Sequence, residues 1–135
     1  MQVTIQGFDE LRRRLSDPQI RGFAEDAMEQ ACALVVYGVK KYPPRPPWST
    51  YQRTGHLLDS WDHQVKWNGR ELIGTVLSEA AKAPYGPYVQ GEQQTWFHKR
   101  TGWRTLPDAA KQEMKAIEAF FTDALKRMRD YMAGG

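Results

Sequence analysis

Between Asp17-Pro18 and Pro43-Pro44 the chain carries one unbroken helical period. Ile20, Phe23/Ala24, Ala27/Met28, Ala31, Leu34/Val35 and Val39 recur every three or four residues, the spacing of one helix face. Asp17 is a good N-cap, and Pro18 stands at the first helical position, where its missing N–H costs nothing. Pro43 and Pro44 stop the helix, because a proline ring clashes with the preceding turn. The spacing predicts a helix over 19–42, a rod of roughly 36 Å at about 1.5 Å per residue. Its apolar stripe needs a second layer to cover it.

The rest of the chain supplies that layer. Phe8, Leu11 and Leu15 predict a short first helix ending before "SDP". The stretch "PPRPPWST" at 43–50 is a stiff extended connection, since each proline fixes φ and biases its predecessor away from helix. In "DHQVKWNGRELIGTVLSE", Asn68-Gly69 predicts a tight hairpin turn between strands near 62–67 and 70–78. Val65 and Trp67 share one face of the first strand. The second is partly apolar on both faces, with Ile73, Thr75 and Leu77 alternating with Leu72, Gly74 and Val76. That places it inside a sheet or against a partner. "YGPYVQG" at 85–91 reads as a third strand, and "GWRTL" at 102–106 as a fourth. Pro107 opens a final helix whose buried stripe is expected at Ala110, Met114, Ile117, Phe120/Phe121, Ala124/Leu125, Met128 and Tyr131/Met132. The expectation is a single α+β domain over 1–135, in two layers. A small antiparallel sheet of three to four strands packs against a long helix from the N-terminal half and a long C-terminal helix. A mobile loop is expected at 92–103.

A chain of 135 residues with 41% hydrophobic residues needs neither disulfide nor metal to bury a core. Cys32 is the one cysteine, so no internal disulfide forms. No apolar run reaches the ~18 residues of a membrane span, and no basic-then-apolar leader opens the chain. A protein made and used in the cytosol, without membrane partners, is expected. The net charge of +3 is unevenly placed. Residues 30–58 and 93–107 hold seven of the 19 basic groups and no acid, leaving 12 basic against 16 acidic groups elsewhere. Such segregation steers a protein toward anionic partners, although charge on loops also serves simply as solvated surface.

The stretch "YQRTGHLLDSW" at 51–61 has the residue types of a catalytic cluster. A phosphate loop needs GxxxxGK[ST], and this stretch has one glycine and no lysine. Ser60 with His56 or His63 and Asp59 or Asp62 lies too close in sequence for a triad, whose members converge from separate elements. The plainer reading is that Thr54 or Gly55 caps a short helix whose Leu57, Leu58 and Trp61 pack inward. His56, His63, His98 and Cys32 show no metal-ligand spacing. No catalytic residue, metal or cofactor is expected.

The aromatics say more. Trp48, Tyr51, Trp61, Trp67, Tyr85, Tyr88, Trp96, Phe97 and Trp103 crowd the middle of the chain. They interleave with Arg45, Arg53, Lys99, Arg100 and Arg104. Trp, Tyr and Arg dominate interface hot spots, and aromatic–basic mixtures also suit single-stranded nucleic acid. Several of these rings simply fill the core. Trp96 and Phe97, inside the polar stretch "GEQQTWFHKRTGW", are the hardest to place there.

"RTGHLLDSW" resembles the "RTGxLxxS" signature of the small head–tail joining, or tail-completion, proteins of long-tailed double-stranded DNA phages, a family named after gene product ten of a lambdoid phage. Members continue into a hairpin, a "Y-A-P-Y-V-E-x-G"-like segment and a C-terminal helix. Here "NG" at 68–69, "APYGPYVQG" at 83–91 and the helix from Pro107 follow in that order. Gln90 stands where the family usually has an acid, and "WFHKRTGWRTL" replaces its more common ending. The resemblance implies a virion protein without catalysis that forms a ring, six-fold by expectation, at the neck between portal or adaptor and tail tube or tail terminator. It implies passive contact with genome DNA in the channel, and assembly in the host cytoplasm. The interface candidates are Arg53, Thr54, Gly55, Leu57, Trp61, Tyr85, Tyr88, Trp96, Phe97, Lys99, Arg100, Trp103 and Arg104. Two other classes stand beside this reading: a nucleic-acid-binding module using the basic loops, and a small hydrolase or nuclease using His98 with an acidic partner.

Overall fold

The computed structural model describes residues 1–7, 17–44, 47, 55–69 and 71–134. The helix expected around Phe8, Leu11 and Leu15 lies outside them, as do Arg53, Thr54 and most of the Pro-rich connection.

The long helix α1 spans Pro18–Val39. Asp17 caps it by accepting a hydrogen bond from the Gln19 N–H at 2.9 Å, as its sequence position predicts. It ends three residues before the expected 42, because Tyr42 precedes a proline and is pushed out of the helical region.

The sheet has three antiparallel strands in the order β1-β3-β2: β1 is Gln2–Gly7, β2 is Trp61–Asn68 and β3 is Glu71–Ser78. The hairpin is present, but Asn68 pairs with Glu71, so the connection is positions 69 and 70 rather than Asn68-Gly69. Gly69 supplies the positive φ, +64°, that such a connection demands. β3 is the central strand, bonded along both edges; of its two partly apolar faces one is buried and the other, with Ile73, Thr75 and Leu77, is half-buried. Leu72, Gly74 and Val76 point at α1 and are buried. Gly74 is required there. A Cβ at this position would stand 2.5 Å from Cys32 Sγ and 2.7 Å from Met28 Sδ, so its absence lets α1 press onto the sheet.

The third strand is not 85–91. It is β1, whose Val3 and Ile5 alternate with polar Gln2 and Thr4 and pair against Val76 and Gly74. Residues 85–91 instead form a one-turn helix α3, Gly86–Gln90. Pro87 has no N–H for a ladder but fits the first turn of a helix. The expected fourth strand at 102–106 is also absent. Gly102 takes φ +90°, and Thr105 caps the next helix through the Asp108 N–H. The 92–103 stretch contains a helix of its own, α4, Trp96–Arg100.

The C-terminal helix is two pieces, α5 (Leu106–Gln112) and α6 (Met114–Met132), jointed at Glu113. α6 lies antiparallel along α1. The Phe23 and Tyr131 rings meet at 6.1 Å at one end, and Glu113 fits against Gly38 at the other. One main core gathers Met28, Val35, Leu72, Val76, Leu106 and Met128 between sheet, α1 and α6. The chain is thus an α+β fold, with the sheet packed on a long N-terminal-half helix and a long C-terminal helix. None of the described helices is long and apolar enough to cross a membrane.

Candidate functional site: an aromatic and basic face at the end of α1

A second, smaller core forms where α1 ends. The short helix α2, His56–Asp59, starts at Gly55, whose φ of +83° turns the chain and whose lack of a side chain leaves no side-chain cap. Leu57 packs with Ala83 and Val89, and Tyr42 and Trp103 lie against them. Leu58, expected inside, is exposed. Trp61 opens β2 rather than extending α2, joins the main core, and donates from Nε1 to the Tyr42 hydroxyl at 3.2 Å.

The stretch read as a catalytic cluster is structural where it is described. The Ser60 hydroxyl is buried, donates to the Leu57 carbonyl at 2.6 Å and bonds the Ser78 hydroxyl at 2.8 Å. His63 reaches Glu29 on α1 at 2.7 Å and so ties β2 to that helix. Burial, with Glu29 nearby, pushes the Cys32 thiol up to about 11, which keeps it protonated and unreactive. No group of three or more His, Cys, Asp or Glu side chains suited to a metal exists among the described residues.

Two glutamines turn 89–104 from a loop into a built platform. Gln90 Nε2 donates to the Val39 carbonyl at 2.8 Å and the Arg104 carbonyl at 3.0 Å. Gln94 Nε2 donates to the Val89 and Trp103 carbonyls, both at 2.8 Å. These cross-bridges fasten the segment to itself and to the end of α1. The Tyr42 and Trp103 rings complete the joint at 4.6 Å.

Helix α4 stands on this platform. Thr95 is its N-cap, accepting from the His98 N–H, and its hydroxyl bonds His98 Nδ1 at 2.6 Å. At the other end Gly102 bonds Lys99 O and Trp103 bonds His98 O, the paired closure that glycine in the left-handed region makes available. The sequence carried this signal as Thr95, five helix-compatible residues, then Thr101-Gly102. A reading that treats 92–103 as one polar loop passes over it. The His98 ring sits edge-on to Phe97 and Trp103, and burial lowers its pKa. Its polar partner is a threonine hydroxyl, not the acid that a hydrolytic role for His98 calls for.

The face so presented is aromatic and basic. Trp96 is 70% exposed, Tyr88 51% and Phe97 47%, and Tyr85 is also exposed. The Arg100 guanidinium lies 5.0 Å above the Trp96 ring. Lys99 is exposed, and Trp103 and Arg104 are half-buried in the platform. On the adjoining end of α1, Tyr37 is 63% exposed with Lys41 Nζ 4.7 Å above its ring. Of the expected interface residues, the fold gathers Tyr85, Tyr88, Trp96, Phe97, Lys99 and Arg100 at the surface of one segment. It uses Leu57 and Trp61 as core. Tyr37 and Lys41 were missed because they belong to a helix read only for its buried stripe. No protein-family model matches the chain, and neither a curated protein nor a solved structure matches it.

Proposed function

We propose that this chain is a non-catalytic structural protein of a long-tailed phage particle. It acts in head–tail joining or tail completion and assembles with copies of itself, as a ring, and with connector and tail proteins at the neck. The observation that carries this reading is the α3–α4 face. Its large rings are exposed, yet the backbone beneath them is fixed by two glutamine amides and a fully capped helix. Rigid exposed Trp, Tyr and Arg make strong contacts with little ordering cost, which is the chemistry of an assembly interface. The order of the "RTGHLLDSW", "NG" and "APYGPYVQG" motifs supplies the family. Mass photometry of the protein, alone and with a portal–adaptor complex, tests it: closed rings are expected, and monomers under both conditions overturn the reading.

A second reading is favoured by the Trp96–Arg100 pair, because bases stack on exposed rings beside cations. It requires binding of single-stranded DNA that falls steeply with salt. Absence of binding at low salt removes it.

A further inference from the structure

The surface charge of α1 is polarised along its axis. Its acids, Glu25, Asp26 and Glu29, lie no further along than its middle. Glu25 accepts from Trp67 Nε1 at 2.6 Å and Glu29 bonds His63 at 2.7 Å, while the single base, Arg21, is laid over the Trp67 ring at 4.6 Å. Beyond Glu29 the helix carries no acid and leads into Lys40 and Lys41. The platform adds Lys99 and Arg100 to that end, because Gln90 and Trp103 bind it to Val39 and Tyr42. Asp26, Lys41, Lys99 and Arg100 have no opposite charge within salt-bridge distance among the described residues. Thirteen helical positions separate Asp26 from Val39, where α1 ends, about 20 Å at ~1.5 Å per residue, and Lys41 lies two residues further on. That exceeds two screening lengths of ~8 Å at physiological salt, so the two ends do not neutralise each other within one copy.

We propose that copies of this chain dock end to end, the basic aromatic end formed by Tyr37, Lys41, Trp96 and Arg100 of one copy seating on the acidic pair Asp26 and Glu29 of the next. The proposal rests on the reading above that copies of the chain assemble, and names the faces that meet. Each contact uses two different surfaces, so a docked pair still offers one free basic face and one free acidic face. Such heterologous contacts close into rings or run on as filaments. The exposed rings supply apolar area at the centre, and the opposite charges set orientation and suppress wrong partners. A nucleic acid would use the basic end alone and be repelled by the acidic one, whereas a second copy satisfies both.

The test is a charge swap on the full chain. One variant carries Lys99→Glu and Arg100→Glu, the other Asp26→Lys and Glu29→Lys. All four side chains are exposed, and the first variant is expected to melt as the wild type does. The second also loses the His63–Glu29 contact, so it is compared with Glu29→Gln in a wild-type background, which keeps the charge pattern of the face closer to native. Each variant alone faces like charge with like, and its self-association is expected to weaken at least about tenfold. In an equimolar mixture every contact is again opposite in sign, so assembly returns, with the two variants alternating. If both variants assemble as the wild type does, the faces are wrong while the assembly reading stands. A wild type that stays monomeric at all concentrations, alone and on the portal–adaptor complex, overturns the assembly reading itself and this proposal with it. Loss of oligodeoxythymidylate binding in the Lys99→Glu/Arg100→Glu variant, with no recovery of assembly in the mixture, assigns the basic end to nucleic acid and overturns the proposal.

Discussion

Both hydrogens of the Gln90 side-chain amide point at carbonyls, Val39 at 2.8 Å and Arg104 at 3.0 Å, in a site closed to solvent. An ionised acid there has no donor for either and adds a buried charge facing two carbonyl dipoles. Gln90→Glu is expected to lower stability by about 3 kcal/mol or more at neutral pH, and by less in acid, where a protonated carboxyl donates one bond. Urea denaturation at two pH values measures this. His98 gives a second pH signature. Burial holds its folded pKa below the ordinary 6.5, so the fold favours the neutral ring. Its contribution is therefore complete above pH 6.5 and declines as pH falls through the lowered folded value. Protection factors across 96–103, each taken relative to the intrinsic exchange rate at that pH, are expected to fall over that window in the wild type and to be flat in His98→Gln.

At the scale of elements, two places depend on a glycine. Gly74 is where α1 touches the sheet, and a Cβ there meets Cys32 Sγ at 2.5 Å. Gly74→Ala is expected to destabilise by about 3 kcal/mol through overpacking. Adding Cys32→Ala should recover part of the loss, because the two positions share one volume, and a double-mutant cycle reads that coupling. Gly102 ends α4 at φ +90°. With only five residues, α4 cannot hold its own shape by hydrogen bonding and depends on its ends. Thr95→Ala and Gly102→Ala are each expected to cost about 1 kcal/mol, seen as local exchange around Trp96 rather than as a large change in global melting.

For the whole molecule the decisive contrast is between stability and assembly. Trp96 is 70% exposed and, among the described residues, stacks only beneath Arg100, so Trp96→Ala should leave the unfolding free energy within about 0.5 kcal/mol of wild type. Its self-association is nevertheless expected to fall, as measured by mass photometry over a concentration series. Trp61→Ala should do the reverse, losing about 3 kcal/mol or more of stability from the main core.

Sequence alone determined the parts whose information is local. The stripe from Ile20 to Val39 with its Asp17-Pro18 start, the glycine at the hairpin, and the inward pair Val65 and Trp67 all follow from periodicity and turn chemistry within one segment. So do Ile117, Phe120, Ala124, Met128 and Met132 of the last helix, whereas Met114, Leu125 and Tyr131, expected in the same buried stripe, are exposed, because the helix is covered over a narrower face than its apolar residues occupy. Tertiary structure decided which segment fills the place beside β3. Residues 2–7 and 85–91 are both short and partly apolar, and nothing within either states which will find an open strand edge. Val3 and Ile5 fit the buried face opposite Val76 and Gly74, whereas Pro87 cannot complete a ladder, so the first became β1 and the second α3. The surface was decided in the same way. Exposed Trp96 and buried Trp61 are the same residue type in similarly polar stretches; Trp61 opens a strand that packs into the main core, whereas Trp96 stands on a helix set outside it, on a backbone held by the Gln90 and Gln94 bonds. Those bonds join residues up to 51 positions apart, and only the folded chain brings them together.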